Sequence, residues 1–202
     1  GIQVSDNTFR HCIGSDSGKS DGGAIEIFRS NRRISIDGNR AYDTWGFVEM
    51  GGLEGDSIHS IHISNNTAIN TRIFAWFNLD TPEDKSNHWG VGYDSILLQN
   101  NSFIQNHPHK SSAIGANVML ARPNQIRVER NLFTGDSLFD FVYKGGFERG
   151  GNMFWSKMKK VPTSFLRPGE IARDPKTRID TITIRCYVPQ EILRMGYGAC
   201  GS

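Results

Sequence analysis

The 202-residue chain lacks several features that define common protein classes. No apolar run approaches the roughly 20 residues that a membrane-spanning helix needs, so we expect no membrane partner. There is no Cys-x-x-Cys pair, no phosphate-binding glycine loop before a helix and no Gly-x-Ser-x-Gly segment, which argues against zinc modules, nucleotide enzymes and α/β-hydrolases. A net charge of only +2 gives no reason to expect a nucleic-acid partner.

Cysteine is also scarce, with three residues in the whole chain. An odd and sparse count does not build a disulfide framework, although Cys186 and Cys200 could form one bridge. Cys12 follows an apolar segment and is expected to be a small buried residue. No signal peptide opens the chain, and the sequence itself leaves the localisation unknown.

What the sequence does contain is a short repeat. Each copy has two apolar residues in alternation, then an asparagine three residues later, then an apolar residue two positions after it. The asparagines are separated by 32, 27, 35, 30 and 21 residues, so insertions of variable length lie between constant units. The copies are Ile2-Val4-Asn7-Phe9, Ile34-Ile36-Asn39-Ala41, Ile61-Ile63-Asn66-Ala68, Ile96-Leu98-Asn101-Phe103, Ile126-Val128-Asn131-Phe133 and the degraded Phe147-Arg149-Asn152-Phe154.

The repeat predicts a strand, a bend and a return to the interior. Apolar residues at every second position form a half-buried strand, and the asparagine marks the bend because it tolerates left-handed backbone torsions. Stacked repeats would place successive asparagines about 4.8 Å apart, where their amides can hydrogen-bond in a ladder. A further strand fits between consecutive copies, and the candidates are Ala24–Phe28, Phe47–Met50, Ile73–Phe77, Ile114–Val118 and Phe139–Val142.

These coils resemble the pectate-lyase-like superfamily of right-handed parallel β-helices over residues 1–155. We therefore predict an all-β, right-handed parallel β-helix of about five to six coils with an asparagine ladder. Residues 156–202 are expected to form an irregular C-terminal cap, in which Pro168–Pro175 resembles a loop that often follows the last coil in bacterial members. Ile182–Ile184 is expected to form a last strand.

The resemblance implies a polysaccharide partner and an extracellular or periplasmic location, but no single activity. The superfamily contains lyases, hydrolases, epimerases, phage tailspikes and adhesins. The N-terminal coil has no cap of its own here, and an uncapped end exposes unpaired backbone. The chain would then be a fragment of a larger β-helix, or it would form end-to-end or other homo-oligomers.

Two carboxylates are the candidate catalytic residues. If Ile25 and Ile27 point inward, Glu26 points outward, and the same alternation places Glu49 outward on the next coil. Carboxyl groups about 5 Å apart suit a retaining glycosidase, and the pair could instead bind Ca²⁺. Solvent-facing polar residues are also ordinary on such a surface, so the alternative is that these glutamates serve solubility alone.

The remaining candidates would bind the substrate. Trp76, if it faces outward, offers a flat surface for a sugar, whereas an inward Trp76 belongs to the core. Basic residues at strand ends would suit an anionic, uronate-containing polysaccharide, and one of the loop histidines would suit a general base. The set is Trp76, Asn78, Asn117, Asp140, Arg29, Arg122, Lys144, His107 and His109.

Two function classes follow from these residues. The first is a polysaccharide lyase or glycoside hydrolase that uses Glu26 and Glu49, with the long insertion Asp80–Asp94 and its Trp89 and Tyr93 closing over the ligand. The second is a non-catalytic carbohydrate-binding, adhesin-like or structural β-helix. Residues 141–202, with 11 Lys/Arg against 5 Asp/Glu, would either contact an acidic partner or remain a solvated terminal segment.

Overall fold

In the computed structural model, short β-strands are the main secondary structure of the described residues. The described residues are 1–13, 22–52, 55–77, 92–105, 112–116, 125–135, 140–142, 147–157 and 160–201, with backbone only for 112–116, 140–142 and Phe147.

Successive strands occur in sets of three, and each set is called a rung. Rung one is β1 (Ile2–Ser5), β2 (Thr8–Arg10) and β3 (Gly23–Phe28), and rung two is β4 (Asn31–Asp37), β5 (Arg40–Tyr42) and β6 (Gly46–Gly51). Rung three is β7 (Ser57–Ser64), β8 (Thr67–Ile69) and β9 (Ile73–Phe77), and rung four is β10 (Gly92–Gln99), β11 (Ser102–Gln105) and β12 (Ser112–Ala116). Rung five is β13 (Ile126–Glu129), β14 (Leu132–Gly135) and β15 (Asp140–Val142), and rung six begins with β16 (Phe147–Gly150) and β17 (Met153–Ser156).

The rungs stack into three parallel sheets. Sheet A has the order β1-β4-β7-β10-β13-β16, and sheet C has the order β3-β6-β9-β12-β15. Sheet B runs β2-β5-β8-β11-β14-β17 and ends with β18 (Ile171–Ala172). The predicted all-β chain with parallel sheets is confirmed, and the arrangement is consistent with a parallel β-helix.

A ladder of asparagines joins the rungs at the bend between sheets A and B. Asn39 Nδ2 donates to Asn66 Oδ1 at 3.1 Å, and the same bond recurs from Asn7 to Asn152 at 2.9–3.1 Å. Each Nδ2 after the first also donates to a carbonyl of the preceding rung, such as Asn66 to Ile36 O at 2.9 Å. The predicted ladder is confirmed in full.

The bend itself differs from the prediction in one respect. The left-handed residue is not the ladder asparagine but the residue immediately before it, with φ between 54° and 67°. These residues are Asp6, Gly38, Asn65, Asn100, Arg130 and Gly151. The ladder asparagine is selected by its hydrogen bonds, and the left-handed torsion falls on its neighbour, which is Asp, Asn or Gly in every rung except that of Arg130.

The interior holds the apolar side chains of all three sheets. The residues that were predicted to turn back inside after each bend do so, and Ala41, Ala68, Phe103 and Phe133 are fully buried. Aromatic rings stack along the axis, as Phe133 and Phe154 do at 5.3 Å between centroids. The repeat accepts both small and aromatic residues at this position, because the side chains of neighbouring rungs pack against one another and together fill the interior.

Glu170 closes the C-terminal end of the ladder. It follows Gly169, which has a φ of 76°, and so repeats the bend of each rung with a glutamate in the asparagine position. Asn152 Nδ2 donates to Glu170 Oε1 at 2.8 Å, and Arg149 Nε lies 2.9 Å from the same oxygen. Both side chains are buried, with 5% of Arg149 and none of Glu170 exposed. The ladder therefore ends on a buried ion pair.

The expected C-terminal cap divides into two parts. Val161, Phe165 and Leu166 pack into the interior at rung six, around a 3-10 turn at Thr163–Phe165. Residues 173–201, here called the C-terminal segment, lie instead against the outer face of sheet B. That face is apolar because Ile69, Ile104, Leu132 and Met153 point outward, and the segment covers them with Ile184, Val188 and Ile192.

The C-terminal segment reaches back along the whole stack. It contains the antiparallel pair β19 (Arg178–Asp180) and β20 (Arg185–Tyr187), followed by α1 (Gln190–Arg194). Arg10 of rung one donates to the carbonyl of Thr181 at 3.0 Å. The prediction of a last strand at Ile182–Ile184 is wrong, because these residues form the turn between β19 and β20.

A disulfide fixes this segment. Cys186 and Cys200 are bonded across a separation of 14 residues, and Ser102 Oγ lies 3.3 Å from Cys200 Sγ. Cys12 is free and only partly buried, so its predicted burial holds in part. Within the described residues, no helix is long and apolar enough to cross a membrane.

Candidate functional site

The outer face of sheet C places the two predicted carboxylates in one column. Glu26 of β3 is the register partner of Glu49 of β6, and Glu49 is the partner of Trp76 of β9. Neighbouring strands of a sheet lie about 4.8 Å apart, so the two glutamates are adjacent along the stack. The sequence-based pairing of Glu26 with Glu49 therefore agrees with the register.

Trp76 faces outward. Its neighbours Ala75 and Phe77 are fully buried and belong to the interior cluster, whereas Trp76 is only half-buried. Because side chains alternate along a strand, the indole lies on the outer face beside Glu49. This decides between the two alternatives that the sequence left open for Trp76.

Trp45 adds a second aromatic ring to this surface. It precedes β6 and contacts Trp76 edge to face, with 6.4 Å between ring centroids. Both indoles are partly exposed. The sequence reasoning did not select Trp45, although a tryptophan placed directly before the strand that carries Glu49 was a visible signal.

The two carboxylates differ in their access to water. Glu26 is exposed, whereas only 8% of Glu49 is exposed. Gly23 and Gly46 are register partners on the same strands and carry no side chains there. A Cβ on Gly23 would come within 3.2 Å of Glu26 Cγ, so the glycine leaves room for the Glu26 side chain.

The negative charge of Glu49 affects the pKa of Tyr93, a residue of the interior. Tyr93, which was predicted to close over a ligand from a loop, is instead buried, and its hydroxyl donates to the carbonyl of Met50 at 2.8 Å. Burial raises the pKa of Tyr93, and the negative charge of Glu49 raises it further. Tyr93 is therefore a core residue under the site rather than part of its wall.

Arg29 lies at the end of β3 and is exposed. Its Nε is 3.6 Å from Asp56 Oδ2, a solvent-screened pair of small energetic value. Asp56 also accepts a hydrogen bond from Ser30 Oγ at 2.9 Å. Arg29 thus provides a positive charge near the edge of sheet C, but its guanidinium is already paired with Asp56.

The other predicted substrate-binding residues do not extend the column within the described chain. Trp76 is followed in register by Gly115 and then Val142. Asp140, whose backbone alone is described, is instead the partner of Ser112. The residues that lie outside the described part are Asn78, Asn117, Arg122, Lys144, His107 and His109, together with most of the Asp80–Asp94 insertion.

A calcium site has limited support from these residues. No group of three or more His, Cys, Asp or Glu side chains within the described part of the chain is placed to hold a metal ion. Ca²⁺ takes six to eight oxygen ligands, and Glu26 with Glu49 would supply only part of that number.

No protein-family model, curated protein or solved structure matches this chain.

Proposed function

We propose that the chain is a right-handed parallel β-helix of the pectate-lyase-like kind that binds and cleaves a polysaccharide along the outer face of sheet C. Crossover connections between parallel strands are almost always right-handed, which supports the hand. The observation that carries the function is the register of Glu26, Glu49 and Trp76 on three neighbouring strands. Two carboxylates beside an aromatic surface suit a glycosidic bond next to a stacked sugar ring.

The pair suits hydrolysis with retention. Adjacent parallel strands would hold the two carboxyl groups about 5 Å apart, the separation of a nucleophile and an acid in retaining enzymes. The shielded Glu49 would donate its proton to the glycosidic oxygen as that bond breaks, and the exposed Glu26 would bond to the anomeric carbon. Water would then displace Glu26 and return the proton to Glu49, which restores the starting state.

Elimination is the other reaction within this proposal. A lyase would need a base to remove the proton next to a uronate carboxylate and a cation to neutralise that carboxylate. Arg29 is the described cation nearest the end of β3, and it is shared with Asp56. The carboxylate pair therefore favours hydrolysis over elimination among the described residues.

Isosteric substitutions at the pair test the proposal. We expect Glu26→Gln and Glu49→Gln each to lower turnover of the responsive glycan at least about 100-fold, because each removes a proton donor or a nucleophile. A panel of uronans and neutral glycans, read by new reducing ends and by the ultraviolet absorbance of unsaturated products, separates hydrolysis from elimination. Glu148→Gln, an exposed carboxylate on sheet A, is the matched control. Turnover that is unchanged in both variants contradicts the proposal.

The low exposure of Glu49 favours a second candidate, a non-catalytic carbohydrate-binding surface. A glutamate with so little contact with solvent can orient its neighbours without reaching a substrate atom. In that case Trp76→Ala would weaken glycan binding about tenfold through lost stacking, while no product forms in any variant. Glycan binding without product, measured for the wild-type chain, would select this second function.

A further inference from the structure

A cavity of about 380 Å³ lies between sheet B and the C-terminal segment, on a different face of the molecule from the carboxylate pair. The volume falls within the range of about 300–1,000 Å³ that is typical of small-molecule sites. Sheet B supplies one wall, and residues of the C-terminal segment supply the other. The cavity thus exists only because the segment folds back along the stack.

The floor of the cavity is aromatic and polar. Trp155 of β17 and Thr134 of β14 are register partners on the outer face of sheet B, and both line the cavity. The Trp155 indole is half-buried, so part of its surface remains open. An open aromatic surface beside a hydroxyl group is suited to a sugar ring, which presents an apolar face and polar edges.

The rim of the cavity is basic. Lys157 follows β17 and Lys176 lies in the C-terminal segment, and both are exposed residues that line the cavity. Asp174 lies beside them, and one of its oxygens accepts the backbone N–H of Lys176 at 2.7 Å. Two ammonium groups against one carboxylate give the rim a positive balance, which favours a ligand with a negative charge.

We infer that this cavity binds a single uronate residue of an anionic polysaccharide. The sugar ring stacks on Trp155, and its carboxylate lies between Lys157 and Lys176. The site also gives a function to two of the basic residues in 141–202, Lys157 and Lys176. It is independent of the proposed cleavage, since it shares no residue with Glu26, Glu49 or Trp76.

Tryptophan indole resonances of the ¹⁵N-labelled chain can separate the two faces in one titration. The probe is trigalacturonate, and its fully methyl-esterified form is the uncharged control. We expect trigalacturonate to shift the Trp155 indole signal, assigned with Trp155→Phe, in a saturable way and with an affinity about tenfold above that of the ester. The indole signals of Trp45 and Trp76 report binding at the outer face of sheet C. Binding at the cavity can therefore be measured even if the sheet C surface does not bind the probe, and the reverse.

Substitutions at the rim complete the test. Lys176→Gln should weaken the Trp155 response about tenfold, whereas Lys160→Gln, an exposed lysine of the same region outside the cavity, should leave it unchanged. Trp76→Ala should also leave it unchanged. The inference is overturned if Trp155 does not respond, if acid and ester bind equally, or if Lys160→Gln weakens binding as much as Lys176→Gln.

Discussion

The two ends of the stack of rungs differ in how the asparagine ladder terminates. At the C-terminal end, Asn152 donates to Glu170, which is itself paired with the buried Arg149. At the N-terminal end, Asn7 is exposed, and its Nδ2 donates to Ser5 of its own rung instead of to a preceding one. Ile2, in the same rung, is 54% exposed. We call the C-terminal end closed, because the ladder ends there on a buried ion pair, and the N-terminal end open, because the asparagine there is accessible to solvent.

The largest effect is expected at the closed end. Glu170→Ala leaves the buried Arg149 without its carboxylate partner and removes one of the two acceptors of Asn152 Nδ2, and we expect a loss of about 3–5 kcal/mol in the free energy of unfolding. Glu170→Gln keeps an acceptor for Asn152 and should lose less. Urea denaturation measures both losses, and equal losses would show that the ion pair, rather than the ladder bond, closes this end.

The second-largest loss of stability is expected on removal of the disulfide, because it fixes the C-terminal segment, which connects the closed end to the open end. Cys186→Ser with Cys200→Ser opens a loop of about 15 residues, and we expect a loss of about 3 kcal/mol. Cys12→Ser, at the free cysteine, is the matched control and should change little. If thermal unfolding is the same for all three proteins, the segment is held by its apolar contacts with sheet B alone.

Between the two ends, Tyr93 makes the free energy of unfolding depend on pH. Its pKa is raised above the ordinary value of about 10 by burial and by Glu49, so the stabilisation that it contributes is present below pH 10 and is lost as the pH rises further. Tyr93→Phe should cost about 1 kcal/mol at neutral pH, through the lost bond to Met50. The gap between the two proteins should shrink in denaturation measured above pH 10, and a constant gap would contradict this.

The smallest effect is expected at the open end. Asn7→Ala removes an exposed hydrogen bond to Ser5 and a partly buried one to Asn39, and we expect a loss below about 1 kcal/mol. Asn101→Ala, in the middle of the ladder, is the comparison and should cost several times more because its partners are fully buried. A large loss for Asn7→Ala would mean that the N-terminal end is as tightly closed as the other.

The periodic features were the ones that could be predicted from the sequence. The ladder asparagines, the inward residues after each bend and the candidate strands of sheet C all follow from a pattern that repeats, with Ile114–Val118 displaced by two residues to Ser112–Ala116. The adjacency of Glu26 and Glu49 followed from the same register. Features that occur once were missed, because a single glutamate at position 170 gives no sign that it occupies an asparagine position.

The position of the C-terminal segment could not be predicted from the sequence either, although the sequence contained part of the necessary information. Ile69, Ile104, Leu132 and Met153 occupy outward positions in the repeat, and their apolar character implied that something covers them. Which segment covers them depends on the path of the chain after rung six. The same path brings Cys186 to Cys200 and encloses the cavity beside Trp155.

The sequence alone therefore determined the stacking of the rungs, since equal spacing of apolar residues and asparagines lets each rung hydrogen-bond and pack in the same way as its neighbour. Only the tertiary structure decided how the stack ends, which face is covered and where Trp76 points. Those properties arise from contacts between residues up to about 170 positions apart, such as Arg10 with Thr181, and no local pattern encodes such a pairing.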